Sequence, residues 1–173
     1  MNIPDPRAGL PSASALPRLS KCGASWRLSQ EAIRQGIVNR QSASSDSGHK
    51  IHRWLETQAD ADWQALTDDE RETATKCYAQ AEWVIADWGG EVAGCLAERE
   101  KRLWLFADGR VASTAVLDAD PVFSGAADLI VHGDRRALVI DFKSGRSEYE
   151  PAPGNQQLLG LSVLVAGWTG ARN

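Results

Sequence analysis

Residues 123–145, Phe123-Ser-Gly-Ala-Ala-Asp128-Leu-Ile-Val-His-Gly-Asp-Arg-Arg-Ala-Leu-Val-Ile-Asp141-Phe-Lys143-Ser-Gly145, decide how the rest of the chain is arranged. Two apolar runs, Leu129–Val131 and Ala137–Ile140, flank Gly133-Asp134, a turn-forming pair that predicts a β-hairpin. Alternation along a strand puts Asp141 and Lys143 on one face and Ile140 and Phe142 on the other. With a two-residue turn at Gly133-Asp134, His132 pairs with Arg135 and Asp128 falls opposite Val139. With a four-residue turn over Gly133–Arg136, Asp128 falls opposite Asp141. Either register brings Asp128 to the face of Asp141 and Lys143, because cross-strand partners share a face, and only an odd-length loop would send it to the far side. Two carboxylates and one ammonium thus meet at the open end of an apolar hairpin. Surface Asp–Lys pairing accounts for Asp141 and Lys143 alone, but it leaves Asp128 at the same end without a reason.

This stretch resembles the core of the PD-(D/E)XK nuclease superfamily in its RecB-type branch, the branch of the CRISPR-associated RecB-like exonucleases. There the first acid lies in a Gly-x-x-Asp strand, here Gly125–Asp128, and the second in an Asp/Glu-x-Lys strand, here Asp141–Lys143. Upstream, Gly48-His-Lys-Ile-His52-Arg-Trp-Leu-Glu56 is similar to the family's Gly-x-x-x-His helix. Gly48 and His52, four apart, share a helical face. His49 points about 300° around the helix from His52 and has no counterpart in the motif. A helical Gly costs up to ~1 kcal/mol against Ala, so close approach of Gly48 to the acid-bearing strand is expected. Downstream, Gln157-Leu158 is similar to the start of the family's Gln-Leu-x-x-Tyr helix, with Leu161 in place of Tyr.

Composition sets wider bounds. A chain of 173 residues, 43% hydrophobic and 24% charged, fits one soluble globular domain. A formal charge of −4 supplies no general attraction for nucleic acid, although a bound metal reverses the sign around a carboxylate cluster. The longest apolar stretch, Leu158–Trp168, suits a buried helix and not a membrane span. Residues 1–11 carry Pro4, Pro6, Gly9 and Pro11, lack the apolar segment of a signal peptide and read as a flexible arm. Cys22, Cys77 and Cys95 form no Cys-x-x-Cys pair and read as small buried thiols of a protein from a reducing, cytoplasmic compartment.

In chain order, Ser12 caps a short helix that tolerates Pro17 in its first turn. Cys22-Gly-Ala-Ser-Trp26-Arg-Leu28 is similar to a Cys-Pro-x-x-aromatic-x-Leu segment of the family. In some relatives that Cys is one of four iron–sulfur ligands, the other three lying near the C-terminus. This chain has none there, so no cluster is expected. Ser45, Asp46 or Ser47 caps a helix starting near Gly48. Thr67-Asp-Asp-Glu70 caps a long helix with an apolar stripe through Ala74, Cys77, Tyr78, Ala81, Val84, Ile85 and Trp88, stopped by Gly89-Gly90. Strands are expected over Glu98–Phe106 and Val111–Leu117 around an Asp108-Gly109 turn. Glu98 and Glu100 read as a charged strand edge, Glu56 as a solvated helix charge, and Asp118 and Asp120 as loop residues.

The resemblance implies an α/β fold with a restriction-endonuclease-like core: a central mixed sheet flanked by helices, an N-terminal helical region, and a single domain over residues 12–173. The family normally continues with further strands after the Gln157 helix, so the chain reads as a truncated or minimal form. The implied activity is metal-dependent hydrolysis of phosphodiester bonds, with DNA exonuclease action in recombination, repair or phage DNA processing. Asp128, Asp141 and His52 would hold Mg²⁺ or Mn²⁺, with the backbone carbonyl of Phe142 as a further donor. Lys143 would position the attacking water or stabilise phosphoryl charge, and Gln157 would orient the water. DNA, single- or double-stranded, is the implied substrate, and a recombination or single-strand-binding protein the implied partner. Two other readings predict different behaviour: a non-catalytic nucleic-acid-binding module on the same fold, and an interaction protein insensitive to divalent metal.

Overall fold

The computed structural model describes residues 9–37, 43–88, 94–113, 120–133, 135–144 and 151–171. A short 3₁₀ turn, Ala13–Ala15, leads into α1 (Leu16–Lys21) and α2 (Ser25–Arg34). Helices α3 (Ala43–Thr57), α4 (Asp60–Gln64) and α5 (Asp68–Trp88) follow. Then come β1 (Leu96–Phe106), β2 (Val111–Ala112), β3 (Pro121–His132), β4 (Ala137–Ile140) and finally α6 (Gln156–Thr169). The four strands form one sheet in the order β2-β1-β3-β4. Among the described residues, the three strand pairings are antiparallel and the parallel component is one bridge between Ser12 and Ser124.

Helices cover both faces of the sheet. On one face Ile51 and Leu55 of α3 and Ala74 and Ala81 of α5 pack with Leu129, Val131 and Phe142. On the other, Leu161, Leu164 and Val165 of α6 pack with Ala13, Leu103, Ala127 and Ile130. The face alternation of β3 resets at Asp128. Ala127 belongs to the α6 side, whereas Leu129 and Val131 belong to the α3/α5 side. A regular strand would have sent residues 127 and 129 to one face.

The hairpin closes through the longer of the two expected turns. His132 pairs with Ala137 and Leu129 with Ile140, and the Gly133 N–H donates to Arg136 O at 3.0 Å, which is the longer connection; Asp134 itself lies outside the described residues. The two-residue alternative is therefore corrected: Asp128 lies one step beyond Leu129↔Ile140, opposite Asp141. The Asp108-Gly109 turn is as expected, with Gly109 at φ +83° and the Phe106 N–H donating to Arg110 O at 2.9 Å. The returning strand is described only as Val111–Ala112; residues 114–119, including Asp118, lie outside the described residues, as do Gly89-Gly90.

Three local expectations change. Helix α3 begins at Ala43, so Ser45, Asp46 and Ser47 are helical and do not cap it. Asp46 sits in the first turn, where its charge favours the helix dipole, and the Ser47 hydroxyl hydrogen-bonds Glu70. Ser12 stands at the N-cap position of the 3₁₀ turn but makes no side-chain cap bond; its hydroxyl pairs with that of Ser14 at 2.9 Å. Cys22 is exposed and not a buried thiol, because it ends α1, a helix with no buried residue; Cys77 and Cys95 are half-buried. The expected capping box does form: the Thr67 N–H donates to Glu70 Oε2 at 2.8 Å and the Glu70 N–H to Thr67 Oγ1 at 3.3 Å.

Candidate active site

Five elements deliver side chains to one depression of about 520 Å³ beside the end of β4, lined among others by His52, Glu100, Asp128, Asp141, Lys143 and Gln157. His52 projects from α3, whose Ile51 and Leu55 anchor the helix in the core. Its Nδ1 lies 3.3 Å from Asp128 Oδ1. The other oxygen of Asp128 accepts the Phe142 N–H at 2.5 Å. One carboxylate thereby ties α3, β3 and the segment leaving β4 together. Phe142 is buried, and its ring meets His52 edge-on at 6.3 Å between centroids.

Asp141 and Lys143 follow β4 on the same side, as alternation predicts. The Lys143 ammonium and Asp141 Oδ2 form an ion pair. Gln157, in the first turn of α6, bridges the two: its Nε2 donates to Asp141 Oδ1 at 2.7 Å and its Oε1 accepts from Lys143 Nζ at 3.1 Å. Asn155 fixes that turn by capping α6, accepting the Leu158 N–H at 3.1 Å. Leu161, where the resembling motif has Tyr, is a fully buried core residue against β3. All five sequence-predicted side chains line this one depression, with Asp141 outside the close group to which His52 and Asp128 belong.

Glu100 joins them, contrary to the reading of a charged strand edge. Arg99↔Leu129 and Lys101↔Ala127 flank it in the β1–β3 register, which sets Glu100 opposite Asp128. It adopts φ +46° in the left-handed region, uncommon for a residue with a side chain. Glu98 remains an edge charge, paired with Lys101 Nζ at 3.0 Å. The sequence pairs this strand only with the Val111–Leu117 return, so the β1–β3 register that sets Glu100 opposite Asp128 is visible only in the fold. His49 also lines the depression but stands outside the close cluster, and Glu56 is exposed.

Ligand atoms of His52, Glu100 and Asp128 all lie within 4.8 Å of one another. The proton affinities of Glu100, His52 and Asp141 are all raised there. Burial, reinforced by the charge of Asp128 and a hydrogen bond with it, pushes Glu100 up to about 7. The hydrogen bond with Asp128 raises His52 despite burial, and the charges of Asp128, Glu100 and Asp141 add to it. Burial raises Asp141 as well, with Lys143 offsetting part of the effect. A half-buried set of oxygen donors plus one imidazole, with Glu100 and His52 both raised by their crowding, fits a hard divalent cation.

Gly48 does not meet the expectation of a tight approach. A Cβ there would lie 3.5 Å from Ser144 Oγ, an ordinary contact. The glycine that packing requires is Gly125, where a Cβ would come within 2.8 Å of Leu161, 2.9 Å of Leu164 and 3.0 Å of Ala13.

An α/β core with a His–carboxylate cluster beside an Asp-x-Lys pair defines the class of restriction-endonuclease-like hydrolases. Residues 11–168 match the model of the PD-(D/E)XK nuclease superfamily, and the chain belongs to that superfamily. No curated protein and no solved structure matches it significantly. Nucleases of this superfamily use divalent metals, typically Mg²⁺ or Mn²⁺. No helix among the described residues is long and apolar enough to cross a membrane.

Proposed function

We propose that this protein is a divalent-metal-dependent deoxyribonuclease of the RecB-type branch, an exonuclease that processes DNA in recombination, repair or phage DNA metabolism. Residues 12–173 would form its single nuclease-like domain behind an arm of residues 1–11, acting in the cytoplasm. The observation that carries the reading is the joining of two clusters in one depression: His52, Glu100 and Asp128 within 4.8 Å, and Asp141 linked to both Lys143 and Gln157.

His52, Asp128 and Asp141, with Glu100 added, would hold Mg²⁺ or Mn²⁺, and the Phe142 carbonyl is a further donor nearby. When bound, the cation supplies Lewis-acid polarisation of the phosphate and lowers the pKa of water. Lys143 places its ammonium where negative charge develops on the phosphoryl oxygens. Gln157 fixes that ammonium and the Asp141 carboxylate in mutual register and orients the attacking water. The Phe142 N–H keeps Asp128 aimed at His52.

The test is incubation of the purified protein with linear and circular, single- and double-stranded DNA in Mn²⁺, Mg²⁺ or EDTA. Hydrolysis of linear DNA in Mn²⁺ or Mg²⁺, absent in EDTA and abolished by Asp141→Ala and by Asp128→Asn, is expected. Wild-type rates in those two variants would remove the site.

A further inference from the structure

β4 is the outer strand of the sheet, last in the order β2-β1-β3-β4. Its residues, Ala137-Leu-Val-Ile140, include no charge and no proline, two devices that ordinarily blunt an open edge. The Gly133 N–H bonds Arg136 O, and pairing runs on from His132↔Ala137 to Leu129↔Ile140. Hydrogen-bonded and non-hydrogen-bonded pairs alternate along an antiparallel ladder. Leu138 and Ile140 therefore bond β3, while Ala137 and Val139 turn their N–H and C=O groups outward. Among the described residues, none bonds these outward groups.

Beside this edge lies a groove of about 450 Å³. Leu159 and Ser162 of α6 form one wall, and Trp88 at the end of α5 stands on the opposite face of the sheet. Leu159 is 51% exposed, so α6 carries apolar surface past the last strand. One more extended segment suits this space. Its backbone would meet Ala137 and Val139, and its alternate side chains would face α6 and Trp88 in turn.

Charge at one end of the groove decides what that segment carries. Arg136 is the charged residue among the lining, and no described carboxylate accompanies it. Its Nη2 donates to Trp88 O at 2.7 Å, and its guanidinium lies 4.7 Å from the Trp88 ring centroid. These contacts steady the guanidinium and leave its remaining donors for a carboxylate. Arg135 precedes it, exposed and in no ion pair among the described residues. A second copy paired through β4 would run antiparallel and set its Asp141 end against these arginines. The Asp141 side chain is 7% exposed and already held by Lys143 and Gln157, so a second copy supplies no free carboxylate.

We propose that the open edge of β4 and its groove bind an extended peptide segment of a partner protein, apolar at alternate positions and acidic at the end that meets Arg135 and Arg136. The inference is independent of the nuclease reading, and its failure leaves that reading untouched.

The experiment uses the full chain and a synthetic library of labelled, C-terminally amidated octapeptides. These alternate Thr with Val, Leu or Phe and end, on either side, in Asp-Asp or Asn-Asn. Fluorescence anisotropy should show tighter binding of Asp-ended members, by up to about fivefold for each exposed ion pair. Arg135→Gln combined with Arg136→Gln should abolish that preference, as should high salt. Val139→Pro removes an outward N–H, which an edge strand tolerates, and should abolish binding of all members. In the unliganded protein, amide exchange should be fast at Ala137 and Val139 and slow at Leu138 and Ile140. A bound peptide should slow the first pair. Melting curves identify a Val139→Pro variant that fails to fold; Leu159→Ser, on the exposed rim, then decides by weakening binding about fivefold or more. Absence of binding by every member, equal affinity for Asp- and Asn-ended peptides, or protected Ala137 and Val139 amides in the unliganded monomer would overturn the proposal. So would a dimer in sedimentation that Val139→Pro dissolves, which would assign the edge to a second copy.

Discussion

Lys143 separates chemistry from metal binding at the level of a single residue. Its ammonium pairs with Asp141 Oδ2 and is steadied by Gln157, so Lys143→Ala leaves His52, Glu100, Asp128 and Asp141 in place. Loss of one positioned stabiliser of transition-state charge typically costs about 10²–10³ in rate. The expected variant is nearly inactive, yet its melting temperature still rises with Mn²⁺. An undiminished rate would make Lys143 a surface charge. Glu100 poses the complementary question. Even an outer partner of a metal ligand is typically worth 10–100-fold in metal affinity, and Glu100 offers a ligand atom of its own, so Glu100→Gln should weaken Mn²⁺ binding by at least about tenfold in a calorimetric titration. Glu98→Gln, which only breaks the ion pair with Lys101, should leave it alone. Equal effects would return Glu100 to the strand edge. The Glu-x-Glu spacing could not separate these two residues. Glu100 was hidden because its turn toward Asp128 depends on a left-handed backbone and on the β1–β3 register, and both are tertiary facts.

At the level of elements, the two glycines make opposite predictions. Gly125 sits where α6 meets β3, and any Cβ drives into buried Leu161 and Leu164. Gly125→Ala should lower stability by roughly 1–3 kcal/mol through overpacking, read as a shift in the urea midpoint, and should disturb Gln157 on the displaced helix. Gly48→Ala has room and should raise stability by up to ~1 kcal/mol, because Ala is the better helix former. A stabilised Gly125→Ala variant would refute the packing account. The hairpin and its charged end, the helix of His52, the capping box of α5 and the start of α6 were all legible from the sequence. Each rests on local rules: alternation, i to i+4 spacing, a cap, a turn residue. The turn length over Gly133–Arg136 was legible only as a pair of alternatives, since both registers leave Asp128 on the same face. The start of α3 and the steric role of Gly125 rather than Gly48 were not legible. They depend on which helix packs against which strand, and on a Ser47 hydroxyl engaged by Glu70 twenty-three residues on.

Over the whole molecule, the crowded site links stability, pH and metal. Glu100 has an ordinary value of 4.5 and stands at about 7 in the folded protein. Asp141 and His52 are raised as well. Between those limits the native state binds more protons than the unfolded chain, so stability falls with rising pH. The Glu100 contribution is fully present below about 4.5 and lost as pH passes through about 7. His52 extends the loss upward, since its folded value lies above 6.5. The metal-free protein should therefore melt at a lower temperature at pH 8 than at pH 5.5, in EDTA and at fixed ionic strength. A cation reverses the trend, because it needs the same groups deprotonated and stabilises the state that binds it. The rise in melting temperature on adding Mn²⁺ should accordingly be larger at pH 8 than at pH 6. His52→Ala should flatten both dependences, while His49→Ala, outside the close cluster, should preserve them. Scanning calorimetry of the wild type and the two histidine variants at both pH values checks each sign. A metal-free protein that gains stability from pH 5.5 to 8, or a His49→Ala variant that loses the Mn²⁺ effect as fully as His52→Ala, would show that the cluster of His52, Glu100 and Asp128 is not where the cation binds.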